Sequence, residues 1–406
     1  MLTSSDHVIV VGAGLGGWRF VEALRREKFD GAITLIGEEP YAPYDRPPLS
    51  KRVLAGSWDV EKATLATPAL ISALDVTMRL GVRAVGLDVA TTTVQLDDES
   101  EAVGTFVAIA TGTRARLLPF SANADVHALR NRDDEVRLRR RLDELEPESV
   151  IAIVGGGFIG AEAATQLHGR GFRPIVLEAA ARPLIGALGG EVSSWLERLA
   201  DDSGIELRTG VNILDVTIVN DRFIVKIECG DDIEASAVLV GVGALPNVEW
   251  LASSGLTIDN GVVVDEHLLA TDRVGAIGDV ARFMWKNVVG EELVRIEHWE
   301  VANLHASLLA HYLMTGQPSK SLLVPYFWSD QYGKKIQMLG HARPSDDVVC
   351  VSGSPQEGKW VALYSHNDIV TGIIALNQPR ALMLSKHFLE EKTNLASAFT
   401  EAPWAT

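Results

Sequence analysis

The order of apolar and polar positions near the start of the chain predicts a strand, a helix and a second strand. Val8–Val11 is a continuous run of β-branched residues, which is typical of a buried strand. Trp18–Lys28 has apolar residues at helical spacing, and Ala32–Ile36 is a second apolar run. This order is that of an α/β unit with parallel strands.

The same order returns in the middle of the chain. Val150–Val154 and Pro174–Glu178 are predicted strands, and Ile159–Gly169 between them is a predicted helix. Two copies so far apart indicate two separate lobes rather than a solenoid of short repeats.

Toward the C-terminus the pattern changes to short apolar runs separated by turns of Gly, Asp, Asn and Pro. This pattern predicts an antiparallel sheet. A final helix is expected near Pro379–Glu391. The predicted strands are Tyr326–Ser329, Lys335–Leu339, Val348–Val351, Trp360–Tyr364 and Val370–Ile374.

A glycine fingerprint stands at each strand–helix junction. Gly12 permits a tight turn, Gly14 lets the backbone approach a pyrophosphate, and Gly17 lets helix and strand pack closely. The helix N-terminus offers free N–H groups and partial positive charge to phosphates. The other predicted members of the two phosphate-binding turns are Leu15, Gly16, Gly155, Gly157, Phe158, Ile159 and Gly160. Two such fingerprints predict two bound dinucleotides, and therefore one cofactor that reduces another.

A carboxylate follows each second strand. Glu38 lies 26 residues after Gly12, and Glu178 lies 23 residues after Gly155, so each is placed to accept hydroxyls of an adenosine ribose. At Glu178 this favours NAD over NADP, although the nearby Arg182 softens the preference.

Other residues are candidates for contact with a flavin. Lys51, on a proline-stiffened loop, could donate to the ring edge, and Asp279 after Gly278 could accept from a ribityl chain. The aromatic–acid segments Glu297-His298-Trp299-Glu300 and Phe327-Trp328-Ser329-Asp330-Gln331 could line the ring, or could simply fill the core. His298 and His305 are expected to be structural, because hydride transfer needs no side-chain acid or base.

Composition restricts the class of protein. The 406-residue chain has a net charge of −17, which argues against a nucleic-acid partner. We expect no signal peptide, no membrane segment and a cytoplasmic location. The two cysteines, Cys229 and Cys350, form no Cys-x-x-Cys pair, so we expect no redox dithiol and no metal site, and both thiols are expected to be buried or neutral.

The densest basic run is Arg137–Arg141. It is interpreted either as a solvated helix face or as a docking patch for an acidic protein partner. The residues alone leave both interpretations open.

Taken together, these motifs resemble the FAD-dependent, NADH-dependent ferredoxin reductases of bacterial oxygenase systems, over nearly the whole chain. The Arg46–Lys51 loop and the Phe327–Gln331 segment are the most specific pieces. Further matching pieces are Ala110-Thr111-Gly112, Gly155–Glu162, Gly243–Asn247 and Ala276–Asp279.

The resemblance implies an α/β fold with two Rossmann-like dinucleotide-binding domains, similar to glutathione reductase, and a C-terminal α+β domain. It implies a discontinuous FAD domain (1–115 and 248–320), an NAD domain (116–247) and a C-terminal domain (321–406). It also implies the roles of individual residues. The implied FAD contacts are Glu38, Arg46, Lys51, Arg130, Asp279 and Trp328, the implied NADH contacts are Glu162 and Glu178, and the residues expected nearest the chemistry are Lys51, Glu162 and Trp328.

The function implied by the resemblance is transfer of a hydride from NADH to bound FAD, and then of single electrons to a ferredoxin or another iron–sulfur protein that feeds an oxygenase. A rubredoxin, a small acceptor, or a binding role like that of the apoptosis-inducing relatives are alternatives. We expect a monomer or a homodimer. One departure is visible, because the family's Thr-x-x-Asp-Ala stretch after the FAD arginine here reads Arg130-Asn131-Arg132-Asp133-Asp134.

Overall fold

Both predicted α/β repeats form, each around a parallel sheet of its own. We describe a computed structural model over residues 1–122, 126–319, 323–343 and 345–405. The predicted boundary at 320–321 lies outside the described residues. Two compact units result: one comprises 1–45, 63–114 and 245–326, and the other 46–62, 115–244 and 327–406.

The first unit is built on a six-stranded sheet that is parallel except at its first pair. Its strands, in spatial order, are Leu269–Thr271, Val274–Ala276, Phe106–Ile109, His7–Val11, Ala32–Gly37 and Thr77–Leu80. The helices of this unit are Leu15–Arg26, Pro68–Ala73 and Trp299–Thr315. Two smaller sheets contain Ala84–Asp88, Thr93–Leu96 and Glu101–Val103, and Val262–Val264, Ala281–Asn287 and Gly290–Val294.

The second unit contains the second repeat and the C-terminal sheet. Its parallel sheet has the order Glu206–Thr209, Arg173–Glu178, Val150–Val154 and Ala237–Val240. An antiparallel sheet of Ile213–Val219, Arg222–Ile227 and Ile233–Ala235 follows it. The helices are Arg132–Asp143, Phe158–Gly169 and Ile185–Ser203, of which the last is interrupted at Gly189, where φ is +75°.

The five strands predicted near the C-terminus form one sheet. Their order is Tyr326–Gln331, Lys334–Gly340, Ile369–Leu376, Lys359–His366 and Asp347–Ser354. The last four are joined by antiparallel pairing. The helix predicted at Pro379–Glu391 is wrong in extent, because the helix is Pro379–Leu384 and a 3₁₀ turn Lys386–Leu389 follows. The Ser385 N–H is shared between two carbonyls, and this tightens the turn there. The short helix Leu395–Glu401 completes the chain.

The apolar runs that predicted the strands are the cores of both units. Val8, Ile9 and Val10 are fully buried, as are Ile151 and Ile153 in the second repeat. No helix in the described part of the chain is both long and apolar enough to cross a membrane.

Candidate functional site

The first glycine loop, Gly12–Gly17, joins the strand His7–Val11 to the helix Leu15–Arg26. Gly12 has φ of +116°, and a Cβ there would lie 2.2 Å from the Ala110 carbonyl oxygen. A Cβ on Gly17 would lie 2.0 Å from the carbonyl oxygen of Gly12. Backbone therefore approaches backbone at both positions, and only glycine fits.

Gly14 differs from its neighbours because its surroundings are open. It is the N-cap of the helix, and a Cβ there would meet no atom within 4 Å. The first turn of the helix contains no acidic residue, and no side chain caps it. The helix N–H groups therefore face a cleared space, which fits the pyrophosphate of a dinucleotide.

The predicted residues of the first unit gather at one edge of its sheet. The first glycine loop, Ala110–Gly112, Gly278–Asp279 and Glu38 all follow the carboxyl ends of adjacent parallel strands. This edge is where open α/β sheets bind ligands.

Two of these residues have partners that fix them. Asp279 Oδ2 accepts from the Thr113 hydroxyl at 3.3 Å, and its carbonyl oxygen accepts from Arg295 at 3.1 Å. Thr111 and Asn247 exchange two hydrogen bonds of 2.9 Å each.

Glu38, predicted to accept hydroxyls of a ribose, is an exposed side chain with a weak ionic contact. Its side chain is 69% exposed, and the nearest cation is Arg83, whose Nη1 lies 3.9 Å away. The last residue of the strand is Gly37, where a Cβ would lie 2.5 Å from that of Ala13. The carboxylate therefore stands one residue beyond the strand end.

The aromatic–acid segment makes contacts within the first unit. Trp299 Nε1 donates to the Asp45 carboxylate at 2.6 Å, and Glu297 pairs with Arg295 at 2.6 Å. His298 is the N-cap of the helix Trp299–Thr315.

The second glycine loop, Gly155–Gly160, repeats the geometry of the first in the second unit. Gly155 has φ of +105°, and a Cβ there would lie 2.4 Å from the Gly241 carbonyl oxygen. A Cβ on Gly160 would lie 2.0 Å from the oxygen of Gly155. The helix Phe158–Gly169 begins after Gly157, again with no acid in its first turn and no side-chain cap, so its first N–H groups suit a phosphate as those of the first helix do.

Glu178 is fixed to this loop. Its Oε2 accepts from the Gly156 N–H at 2.7 Å, and its Oε1 accepts from the Ala180 N–H at 2.8 Å. Arg182 points elsewhere, since it lies 3.7 Å from Glu197 and its Nη1 donates to the Gly190 carbonyl. Arg182 is therefore engaged away from Glu178, and a carboxylate without a neighbouring arginine would favour a ribose with a free 2′-hydroxyl. Gly243 follows the adjacent strand of the same sheet, with φ of +100°.

The Glu162 carboxylate accepts hydrogen bonds from four donors. Its side chain is 2% exposed, and Oε2 accepts from Ser50 at 2.6 Å and from Lys51 Nζ at 2.7 Å. Its Oε1 accepts from the Ser329 hydroxyl at 2.5 Å and from the Asp330 N–H at 3.3 Å. Glu162 is the fifth residue of its helix, so it does not cap the first turn.

Lys51 lies on a helical turn rather than on a loop. Leu49–Val53 is a π-helical turn that begins after Pro48, because the prolines set the backbone for a first helical turn. The Lys51 side chain is 15% exposed. Its bond to Glu162 uses one of its three N–H donors. Arg46 precedes the turn.

The stretch that departs from the family pattern is a helix start. Asn131 caps the helix Arg132–Asp143, and its side chain accepts from the Asp134 N–H at 2.8 Å. The Asp134 side chain in turn accepts from the Asn131 N–H, which completes a capping box, and from the Arg130 N–H at 3.0 Å. Trp328 lies half-buried in the strand Tyr326–Gln331.

The basic run on this helix is accompanied by acids. Arg137 pairs with Asp134 at 2.6 Å, and Arg139 lies 3.6 Å from Glu135. Glu135 is fully buried, and burial raises the pKa of its carboxyl. Residues 132–144, the helix and its C-cap residue, contain five arginines and five acids, so this segment has no net formal charge.

The structure also shows the surroundings of two serines, the two cysteines and His305. Ser50 and Ser329 lie within the predicted motifs, but no pattern in the sequence indicates that both hydroxyls donate to Glu162. Of the two thiols expected to be buried or neutral, Cys229 is exposed and Cys350 is half-buried, and neither forms a disulfide. His305, expected to be structural, is buried directly behind Gly278.

Comparison with known proteins agrees with this geometry. The pyridine nucleotide-disulphide oxidoreductase family model matches residues 6–306, and the reductase C-terminal model matches residues 326–403. Rhodocoxin reductase of Rhodococcus erythropolis is 34% identical over 386 residues, which cover 94% of this chain and 89% of that protein. The benzene 1,2-dioxygenase system ferredoxin–NAD(+) reductase subunit of Pseudomonas putida is 33% identical over 398 residues, covering 95% and 93%. A crystal structure of the covalent putidaredoxin reductase–putidaredoxin complex matches with a TM-score of 0.92 at 28% identity and covers 100% of both chains.

Proposed function

This chain belongs to the pyridine nucleotide-disulphide oxidoreductase family, and from that premise we propose that it is an FAD-dependent NADH:ferredoxin reductase. In this role it takes a hydride from NADH and delivers single electrons to an iron–sulfur protein that serves an oxygenase such as a cytochrome P450 or a dioxygenase.

The observation that carries the proposal is the pair of helix N-termini at Gly14 and Gly157, both without an acid in the first turn and without a side-chain cap, in a chain whose two cysteines form no pair. Two dinucleotides can bind, and no dithiol is present to receive their electrons. The electrons must therefore leave to an external acceptor. The matched relatives are themselves named as reductases of ferredoxins.

The residues at each loop divide the two dinucleotides between the units. In the first unit the Leu15–Arg26 helix would hold the pyrophosphate of FAD, Glu38 its ribose and Asp279 its ribityl chain. In the second unit the Phe158–Gly169 helix would hold the pyrophosphate of NADH, and Glu178 would hold its ribose. When bound, the flavin supplies an acceptor for two electrons that can release them one at a time.

We assign positioning roles to the residues around Glu162. Four donors converge on the carboxylate of Glu162, and through its bond to Nζ the carboxylate fixes the direction of the Lys51 ammonium. Lys51 would present its remaining donors to the flavin. Arg46, Arg130 and Trp328 are proposed as further flavin contacts because the family resemblance implies them.

Domain limits and cellular location follow from the same proposal. The FAD domain would comprise 1–115 and 248–320, the NAD domain 116–247 and the C-terminal domain 321–406. A reductase fed by NADH would work in the cytoplasm.

Reduction of the purified holoprotein tests the function. NADH under anaerobic conditions should bleach the flavin absorbance, and NADPH at the same concentration should do so far more slowly. The reduced protein should then reduce a [2Fe–2S] ferredoxin faster than a rubredoxin or a quinone. A preparation without flavin absorbance, or one that NADH leaves oxidised, would contradict the proposal.

A further inference from the structure

His305 is a buried histidine whose ring faces the Gly278–Asp279 turn. It lies on the helix Trp299–Thr315 and is 1% exposed. Its Nδ1 accepts a hydrogen bond from the Gly278 N–H at 3.3 Å. Among the described residues, Nε2 has no hydrogen-bond partner, so this is the ring's one bond.

The turn lies against the same helix one turn earlier. Gly278 has φ of +68°, and a Cβ there would lie 3.4 Å from the Cβ of Ala302. The preceding Ile277 N–H is taken by the Ile109 carbonyl, which extends the strand pairing to that residue. Gly278 is therefore the first N–H that the sheet no longer satisfies, and His305 supplies its acceptor.

Only one protonation state of the ring can serve. Nδ1 accepts from an N–H, so it carries no proton, and the proton of the neutral ring is on Nε2. Burial lowers the pKa of His305 to about 3, against the opposing pull of Asp279. Phe283 meets the ring edge-on with centroids 4.5 Å apart, which fixes the ring plane.

We propose that His305 is the positioning residue for Asp279: through the Gly278 N–H it holds the turn in the conformation that presents the Asp279 carboxylate to the flavin. This inference rests on the proposed function for the role of Asp279. The hydrogen bond between His305 and Gly278 is independent of the proposed function and is tested separately.

The test compares His305→Asn with His305→Leu in the purified holoprotein. The Oδ1 of asparagine occupies nearly the place of Nδ1 and accepts, whereas leucine fills similar volume and cannot accept. Hydrogen exchange of the peptide that spans residues 275–281 reports on the Gly278 N–H. The FAD dissociation constant and the flavin midpoint potential report on Asp279, and Asp279→Ala calibrates both.

In His305→Leu we expect faster exchange at 275–281, FAD binding weaker by about tenfold and a shifted potential, with all three restored in His305→Asn. Unchanged exchange in His305→Leu overturns the inference. So does faster exchange with normal FAD binding in His305→Leu when Asp279→Ala loses FAD. If Asp279→Ala keeps FAD and potential unchanged, the proposed flavin contact of Asp279 is wrong and the inference falls with it, while NADH reduction of the flavin still reports on the rest of the proposed function.

Discussion

The two glycine loops share their backbone geometry but differ in how their carboxylates are placed. The Gly12 N–H donates to the Ile36 carbonyl, and the Gly155 N–H donates to the Leu177 carbonyl, both at 2.8 Å. Ile36 and Leu177 are each the last apolar residue of the neighbouring strand. By that correspondence Gly37 stands where Glu178 stands in the second copy. Glu38 is therefore displaced by one residue.

The displacement has a steric cause. In the first loop Ala13 fills the space beside the strand end, and its Cβ leaves no room for a side chain at position 37. In the second loop the same place is Gly156, whose missing side chain admits Glu178, since a Cβ there would lie 3.2 Å from both the Cβ and Oε2 of Glu178. The Cβ of Ala13, which Gly156 lacks, therefore determines whether the carboxylate lies at the strand end, as Glu178 does, or one residue beyond it, as Glu38 does.

The consequence is a difference in preorganisation. Glu178 is fixed by two backbone N–H groups before any ligand arrives, so binding costs it little side-chain entropy. Glu38 is largely exposed and must be ordered when a ribose binds. A preset site suits a dinucleotide that exchanges in every cycle, and an adaptable one suits a cofactor that binds once.

The largest effect is expected where both loops are alike. Gly12→Ala drives a Cβ into the Ala110 carbonyl and should destabilise the protein by at least about 3 kcal/mol in denaturant unfolding. Gly14→Ala meets no atom, so it should fold normally and lose FAD affinity. Gly210→Ala, with φ of +68° and open surroundings, isolates the backbone cost of about 1 kcal/mol. Equal effects at Gly12 and Gly210 would contradict the close-approach argument.

The steric exchange between positions 13 and 37 is testable as a double-mutant cycle. Gly37→Ala should cost about 2 to 3 kcal/mol of unfolding free energy, because its Cβ meets that of Ala13 at 2.5 Å. Ala13→Gly should remove most of that cost in the double variant. Additive single effects would show that the two positions do not compete for one space.

The pH dependence of the unfolding free energy should reveal the buried His305 of the first unit. The folded pKa of His305, about 3, lies below the unfolded value of 6.5, so below pH 6.5 the unfolded chain binds a proton that the folded chain refuses. The contribution of His305 to stability should be constant above pH 6.5 and fall by about 1.4 kcal/mol per pH unit toward pH 3. At pH 5 the wild type should lose about 2 kcal/mol more than His305→Asn in denaturant unfolding. A parallel loss in both proteins would assign the effect to other groups.

Loss of the preorganised Glu178 carboxylate should affect the KM for NADH and not the binding of FAD. Glu178→Ala should raise the KM for NADH about tenfold by removing a charged acceptor, and should leave FAD retention unchanged. Glu38→Ala, the matched change in the first loop, should weaken FAD binding and leave the KM for NADH unchanged. Equal loss of both cofactors in Glu178→Ala would remove the distinction between the loops.

The smallest effect is expected on the arginine helix. Because Arg137 is paired with Asp134 and residues 132–144 have no net formal charge, Arg137→Glu with Arg140→Glu should change the KM for an acidic ferredoxin less than twofold. Reduction of a small dye serves as the control. A large rise with the ferredoxin and none with the dye would instead make this helix a docking surface.

The amino-acid sequence by itself determined the two α/β repeats, the glycine loops, the antiparallel sheet and the kinds of cofactor. These follow from local periodicity and from glycines that tolerate no side chain, and both are visible within a few residues. The strand ends could likewise be predicted from the apolar runs, which is why the two glycine loops, Glu38, Glu178 and Gly278–Asp279 all lie at or just after strand ends.

Only the tertiary structure decided how those residues are held. Glu162 is buried because Ser50 and Ser329, 112 and 167 residues away along the chain, donate to it. Glu38 is displaced because Ala13 reaches Gly37, and Gly278 needs His305 because the sheet ends one residue earlier. Each depends on a contact between distant segments, so no local pattern can encode it.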